Sequence, residues 1–103
     1  MRIAFAAAAR RDLKGIVNYI AQDNAAAAVK VADAIRAAVA RLADFPEMGH
    51  VGRLPDTREL VVASLPYVIV YHVARDALTI IAVFHGARDL ASALPERGKH
   101  LKA

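Results

Sequence analysis

The chain has 103 residues, 57% of them hydrophobic, with a formal net charge of +4 and no cysteine. That length fits one domain, 1–103, around a single core. The apolar content excludes disorder over most of the chain, and the missing thiols exclude a disulfide-stapled secreted scaffold. Residues 1–52 and 53–103 each carry seven Lys/Arg against five Asp/Glu, so no basic tail or block points to nucleic acid by itself.

The apolar run Ile3–Ala9 imitates an export signal, but Arg10, Arg11 and Asp12 end it, and it is too short to span a bilayer. The expectation is a cytoplasmic protein with no membrane segment. Arg2–Phe5 reads as an opening strand. From Ala8 the period changes: Leu13, Ile16, Val17 and Ile20 form the stripe of an amphipathic helix, with Arg11, Lys14, Asn18 and Gln22 mostly on the other side. Asp23 or Asn24 can cap a second helix over Ala25–Asp44, whose buried stripe is Ala28, Val31, Ala32, Ile35, Val39 and Leu42. The alanines favour helix and let the pair approach closely.

Phe45-Pro46 ends this hairpin, because proline disfavours helical geometry in the residue before it. Glu47–Asp56, with two glycines and a second proline, reads as a loop. Three strands follow: Arg58–Ala63, Tyr67–Val73 and Leu78–His85. Their short connections make an antiparallel meander. The class is α+β, with the hairpin packed on one face of the sheet. Residues 89–103 read as a loosely ordered or partner-dependent tail.

Alternation puts Tyr67, Ile69, Tyr71 and Val73 on one face and Val68, Val70 and His72 on the other. In the last strand it opposes Leu78, Ile80, Ala82 and Phe84 to Thr79, Ile81, Val83 and His85. Neither face is polar, and one helical hairpin covers one face. The other is left for the tail, a second copy or a separate polypeptide. The residues expected to meet such a partner are Val68, Val70, His72, Ile81 and Val83.

Chemistry-bearing signatures are sparse. The sequence has no glycine-rich phosphate loop, no G-x-S-x-G and no metal-ligand spacing among His50, His72, His85 and His100. His72 and His85 could share a face, but no carboxylate pattern completes a metal site. No cofactor and no metal are expected. Arg53, Arg58, His85 and Arg88 form a basic rim at the meander's ends. Arginine suits bidentate contact with phosphate or carboxylate, and histidine moves protons near neutral pH. Such a rim could hold RNA and cleave it. The plainer alternative pairs Arg58 with Glu59 or Asp56, and Arg88 with Asp89 or the tail. Tyr67 and Tyr71 fit core residues with a hydroxyl at the edge.

Strand, two helices, loop and three strands, in this order, resemble the ParE/RelE superfamily of type II toxins, and the ParE-like, plasmid-stabilisation type within it. The resemblance rests on DLKGIVNYIAQDN (Asp12–Asn24), FPEMGHVGR (Phe45–Arg53), TRELVV (Thr57–Val62), LPYVIVYHV (Leu65–Val73) and VFHGARD (Val83–Asp89). The chain departs at Ala25, where relatives often have Pro, at His50, where they have Arg, and at Asp56, where they have Gly. The resemblance implies a toxin silenced by a cognate antitoxin that wraps around it, a hetero-oligomer. ParE-type members are regarded as inhibitors of DNA gyrase, whereas RelE-type members cleave mRNA on the ribosome. The nuclease pattern has a basic residue where Val68 stands here, so gyrase is the expected target. If the chain is a nuclease, Arg58, His85 and Arg88 are its candidate catalytic residues. A non-toxic regulatory partner of an antitoxin is the remaining expectation.

Overall fold

A computed structural model describes residues 1–86. Arg88 and the expected tail 89–103 lie outside the described residues. The elements run β1 (Arg2–Phe5), α1 (Ala7–Ala21), α2 (Ala25–Asp44), β2 (His50–Val51), β3 (Arg58–Val61), β4 (Tyr67–Val73) and β5 (Ala77–His85). The α+β class and the helical hairpin are as the sequence predicts. Asn24 proves to be the cap, its side chain accepting the Ala27 N–H at 2.9 Å. The hairpin ends at Phe45, before Pro46.

The sheet is larger than the meander. Its order is β1-β5-β4-β3-β2, with β1 parallel to β5 and the remaining pairs antiparallel. The opening strand thus joins the far edge, carried there by the helical crossover that a parallel pair requires. At the other edge a two-residue strand emerges from the expected loop, pairing His50 with Glu59 and Val51 with Arg58. Nothing in the alternation of so short a segment announces it.

The helices cover one face. Ile35, Val39 and Leu42 of α2 and Ala9 of α1 join Tyr67, Ile69, Tyr71, Leu78, Ile80 and Val83 in the main core. Val83 corrects the alternation reading, which put it on the opposite face. Val70 pairs with Ala82 but Tyr71 pairs with Ile80, so Ile81 is an extra residue in β5. Such a bulge places two residues of one strand opposite one of its partner and shifts the phase of all that follows. Beyond it Val83 and His85 face the helices, opposite Ile69 and Tyr67. Ala82 and Phe84 join Val68, Val70 and Ile81 on the outer face. His72 and His85 therefore lie on opposite faces, not on one.

The outer face differs from expectation in a second way. Its five clustered residues are 0–7% exposed, so the chain does not present it as an open apolar surface. From the connection after β2, Leu54 packs on the cluster, and Arg53 reaches the buried carboxylate of Glu59 on the same side.

Candidate functional site

The FPEMGHVGR segment owes its path to two side chains of the sheet. Tyr71 is fully buried, and its hydroxyl donates to the Pro46 carbonyl at 2.8 Å while accepting the Gly49 N–H at 2.9 Å. Arg58 is the register partner of Tyr71 and so shares its face. Its guanidinium donates to the carbonyls of Gly49 at 2.6 Å and Glu47 at 3.4 Å. Together the two side chains clamp the chain between α2 and β2. Gly49 must be glycine here, because a Cβ would lie 2.7 Å from the Tyr71 hydroxyl and 2.8 Å from the Glu59 carbonyl. Burial pushes the Tyr71 phenol above its ordinary value. The Gly49 N–H bond and the Arg58 charge draw it partly back, and Glu47 adds a smaller upward push.

The expected basic rim is not a single surface. Arg58 pairs with neither Glu59 nor Asp56 among the described contacts; loop carbonyls hold it instead. Glu59 belongs to Arg53, taking its backbone N–H at 3.0 Å, with Arg53 Nε 3.8 Å from the carboxylate. Glu59 is opposite Val70, so Arg53 sits on the outer side and Arg58 on the helix side. His85 ends β5, edge-on to the Tyr67 ring with centroids 6.0 Å apart. Arg58 pairs across from Tyr71 and His85 across from Tyr67, four residues apart on β4. At roughly 3.3 Å per residue, that is about 13 Å along the strand. Arg88 lies outside the described residues.

A hollow of about 400 Å³ opens between the ends of β2, β3 and β4, lined by Val51, Asp56, Thr57, Arg58, His72 and Val73. His72 was expected on the partner-binding face. Its Nδ1 lies 2.7 Å from the Asp56 carbonyl oxygen. A carbonyl only accepts, so Nδ1 is the donor and the neutral ring keeps its lone pair on Nε2. An acid–base group and a guanidinium therefore border one hollow, but the guanidinium is spent on the loop. No group of three or more metal-ligating side chains occurs among the described residues, and no helix among them is long and apolar enough to cross a membrane.

Sequence reasoning identified Tyr71 as a core residue with its hydroxyl at the edge, and the structure agrees. It missed the Tyr71–Arg58 clamp. The cue available was a two-glycine segment followed by an arginine, a pattern common to many surface loops.

Comparison with known proteins places these features. A family model described as ParE toxin of type II toxin-antitoxin system, parDE, matches residues 3–90. A relative named as a toxin, Y4kP of Sinorhizobium fredii, is 43% identical over 82% of this chain and 86% of its own length. Toxin RelE2 of Caulobacter vibrioides is 40% identical over 75% of this chain and 85% of its own. Among solved structures, a chain of the chromosomal ParDE TA system from P. aeruginosa superposes with a TM-score of 0.74 at 20% identity. That match covers 82% of this chain and 95% of the other, and it shows the shared fold.

Proposed function

Because the chain belongs to the ParE toxin family of type II toxin–antitoxin systems, we propose that it arrests growth by inhibiting DNA gyrase and is held inactive by a cognate antitoxin protein. The observation that carries the choice of target is the dispersal of the groups a nuclease would need. Arg58 is tied to the Gly49 and Glu47 carbonyls. His85 is four register positions away, against Tyr67. Val68, where the nuclease pattern has a basic residue, is buried in the outer cluster. A phosphodiester cleavage site needs its acid, base and charge-stabilising groups within hydrogen-bond reach of one substrate.

A second reading is ribosome-dependent mRNA cleavage, favoured by the likeness to Toxin RelE2. Expression of the chain without its antitoxin separates the two. Gyrase inhibition predicts growth arrest with induction of the DNA-damage response while messages stay intact. Codon-positioned 5′ ends in ribosome-bound mRNA would replace the gyrase reading with the second one.

A further inference from the structure

At one corner of the sheet a cation and an anion border the same hollow without pairing. This is the space of about 400 Å³ at the ends of β2, β3 and β4, where Arg58 and Asp56 are the charged residues in the lining and Val51 and Val73 the apolar ones. Val51 is opposite Arg58, Arg58 is opposite Tyr71, and Val73 lies two residues beyond Tyr71, so all three occupy the helix side of the sheet. Val51 is 78% exposed, so the helices leave this corner open. The loop engages Arg58 through Nη1 alone, which donates to the Gly49 and Glu47 carbonyls. A guanidinium has five N–H donors. The three on Nε and Nη2 have no acceptor among the described residues.

Asp56 is held through its backbone. Its carbonyl accepts from His72 Nδ1 at 2.7 Å, and the next residue, Thr57, closes on the Leu54 carbonyl with its N–H at 3.3 Å and its hydroxyl at 2.7 Å. Only two positions separate Asp56 from Arg58, yet neither has an ion-pair partner among the described residues. Contacts elsewhere fix each of them, and the two charges stay apart across apolar walls. That arrangement restricts the ligand. An uncharged apolar molecule would strip water from both charges, which is costly. A polyanion would set its further negative charges against Asp56. A simple ion would answer one charge and leave the other unmet. A small molecule with one oxyanion group, an apolar body and N–H donors at its other end answers both. The Nε–Nη2 edge of a guanidinium grips two oxygens of a phosphate or carboxylate side by side, and a carboxylate accepts paired N–H groups. The volume lies within the range of about 300–1,000 Å³ usual for small-molecule sites.

We propose that this hollow binds a small dipolar ligand, its oxyanion on the Nε–Nη2 edge of Arg58, its N–H donors on the Asp56 carboxylate and its body between Val51 and Val73. Two kinds of molecule supply that chemistry. A nucleoside monophosphate brings a phosphate and the N–H groups of a base. A zwitterionic dipeptide brings a carboxylate and an ammonium. The site is separate from the choice between gyrase and mRNA, and its occupancy does not depend on that choice.

The test titrates the full-length ¹⁵N-labelled chain with guanosine 5′-monophosphate and, separately, with glycyl-leucine, following backbone amides by NMR. Inorganic phosphate and leucinamide, which each carry one pole of the ligand, serve as controls. One of the two dipolar probes should give saturable shifts centred on Asp56, Thr57, Arg58 and Val73, and whichever does so identifies the source. Both controls should bind at least about tenfold more weakly, since a hydrogen bond to a charged group is lost in each. Asp56→Asn keeps a residue that tolerates the φ of 62° at this position. It should weaken the dipolar probe at least about tenfold while leaving inorganic phosphate no weaker. Arg58→Lys, which keeps the charge but loses the fork, should weaken the dipolar probe and phosphate together. If that variant folds poorly, Asp56→Asn decides alone. No saturable shift from either probe up to about 10 mM overturns the proposal. Shifts centred elsewhere, equal binding of a one-pole control, or unchanged affinity in Asp56→Asn also overturn it.

Discussion

Tyr71 concentrates more of the local architecture than any other described side chain. Its hydroxyl joins a carbonyl and an N–H of one loop segment, and both would be left unsatisfied without it. Tyr71→Phe should therefore cost about 1–3 kcal/mol at neutral pH, measured by urea denaturation. The pH dependence has a definite sign. Burial raises the phenol, so the folded state holds its proton more tightly than the unfolded chain does. The stability this contributes is complete below the unfolded value of about 10 and is lost as pH rises through the folded value. Wild type should lose stability more steeply above pH ~10 than Tyr71→Phe does; parallel curves would show that the phenol is not responsible. Gly49→Ala should destabilise by about 1–3 kcal/mol, because the new methyl meets both the tyrosine and backbone. Gly15 is the opposite case. A Cβ there meets nothing within 4 Å, so Gly15→Ala in mid-helix should stabilise by about 0.5–1 kcal/mol in the same assay. Asp56 has φ of 62°, the left-handed region where glycine is at ease and aspartate is tolerated.

At the scale of elements, the helices were legible and the sheet was legible in part. Helical stripes and the Asn24 cap are local signals, so α2 falls where its pattern places it. Strand phase is different. When both faces are apolar, alternation no longer says which side a residue faces, and a one-residue insertion leaves no trace in composition. LTIIAVFH contains no glycine or proline at Ile81, and that is why Val83 and His85 were assigned to the wrong face. The partnership of β1 with β5 is nonlocal and equally silent. Its consequence is visible at Asp12. β1 pairs with β5 only over Ala77–Ile80, and beyond that stretch the Val83 N–H donates to the Asp12 carboxylate at 3.1 Å. This bond anchors α1 to the sheet where the strand partner has run out. Asp12→Ala should lower stability by about 1–3 kcal/mol and speed hydrogen exchange at Val83. Exchange unchanged at that amide would show the carboxylate to be dispensable.

For the whole molecule, the family was legible from five short segments in order, none of them specific alone. The candidate site was legible less well. The expectation of an open sheet face rested on counting layers, and the face is buried, so a partner cannot be argued from it. Of the nuclease candidates named on one rim, Arg58 and His85 share the helix-side face but stand four register positions apart. These are tertiary facts that a linear reading does not hold. On the proposed reading, their joint consequence is a toxin that acts by binding rather than by cleaving.

Supercoiling of relaxed plasmid by purified gyrase, with increasing amounts of the purified chain, examines that consequence without the complications of a cell. Supercoiling should fall in proportion to added chain and be restored when the chain is first mixed with the protein encoded by its neighbouring gene. Undiminished supercoiling at saturating chain, alongside cleavage of ribosome-bound mRNA by the same preparation, would contradict it.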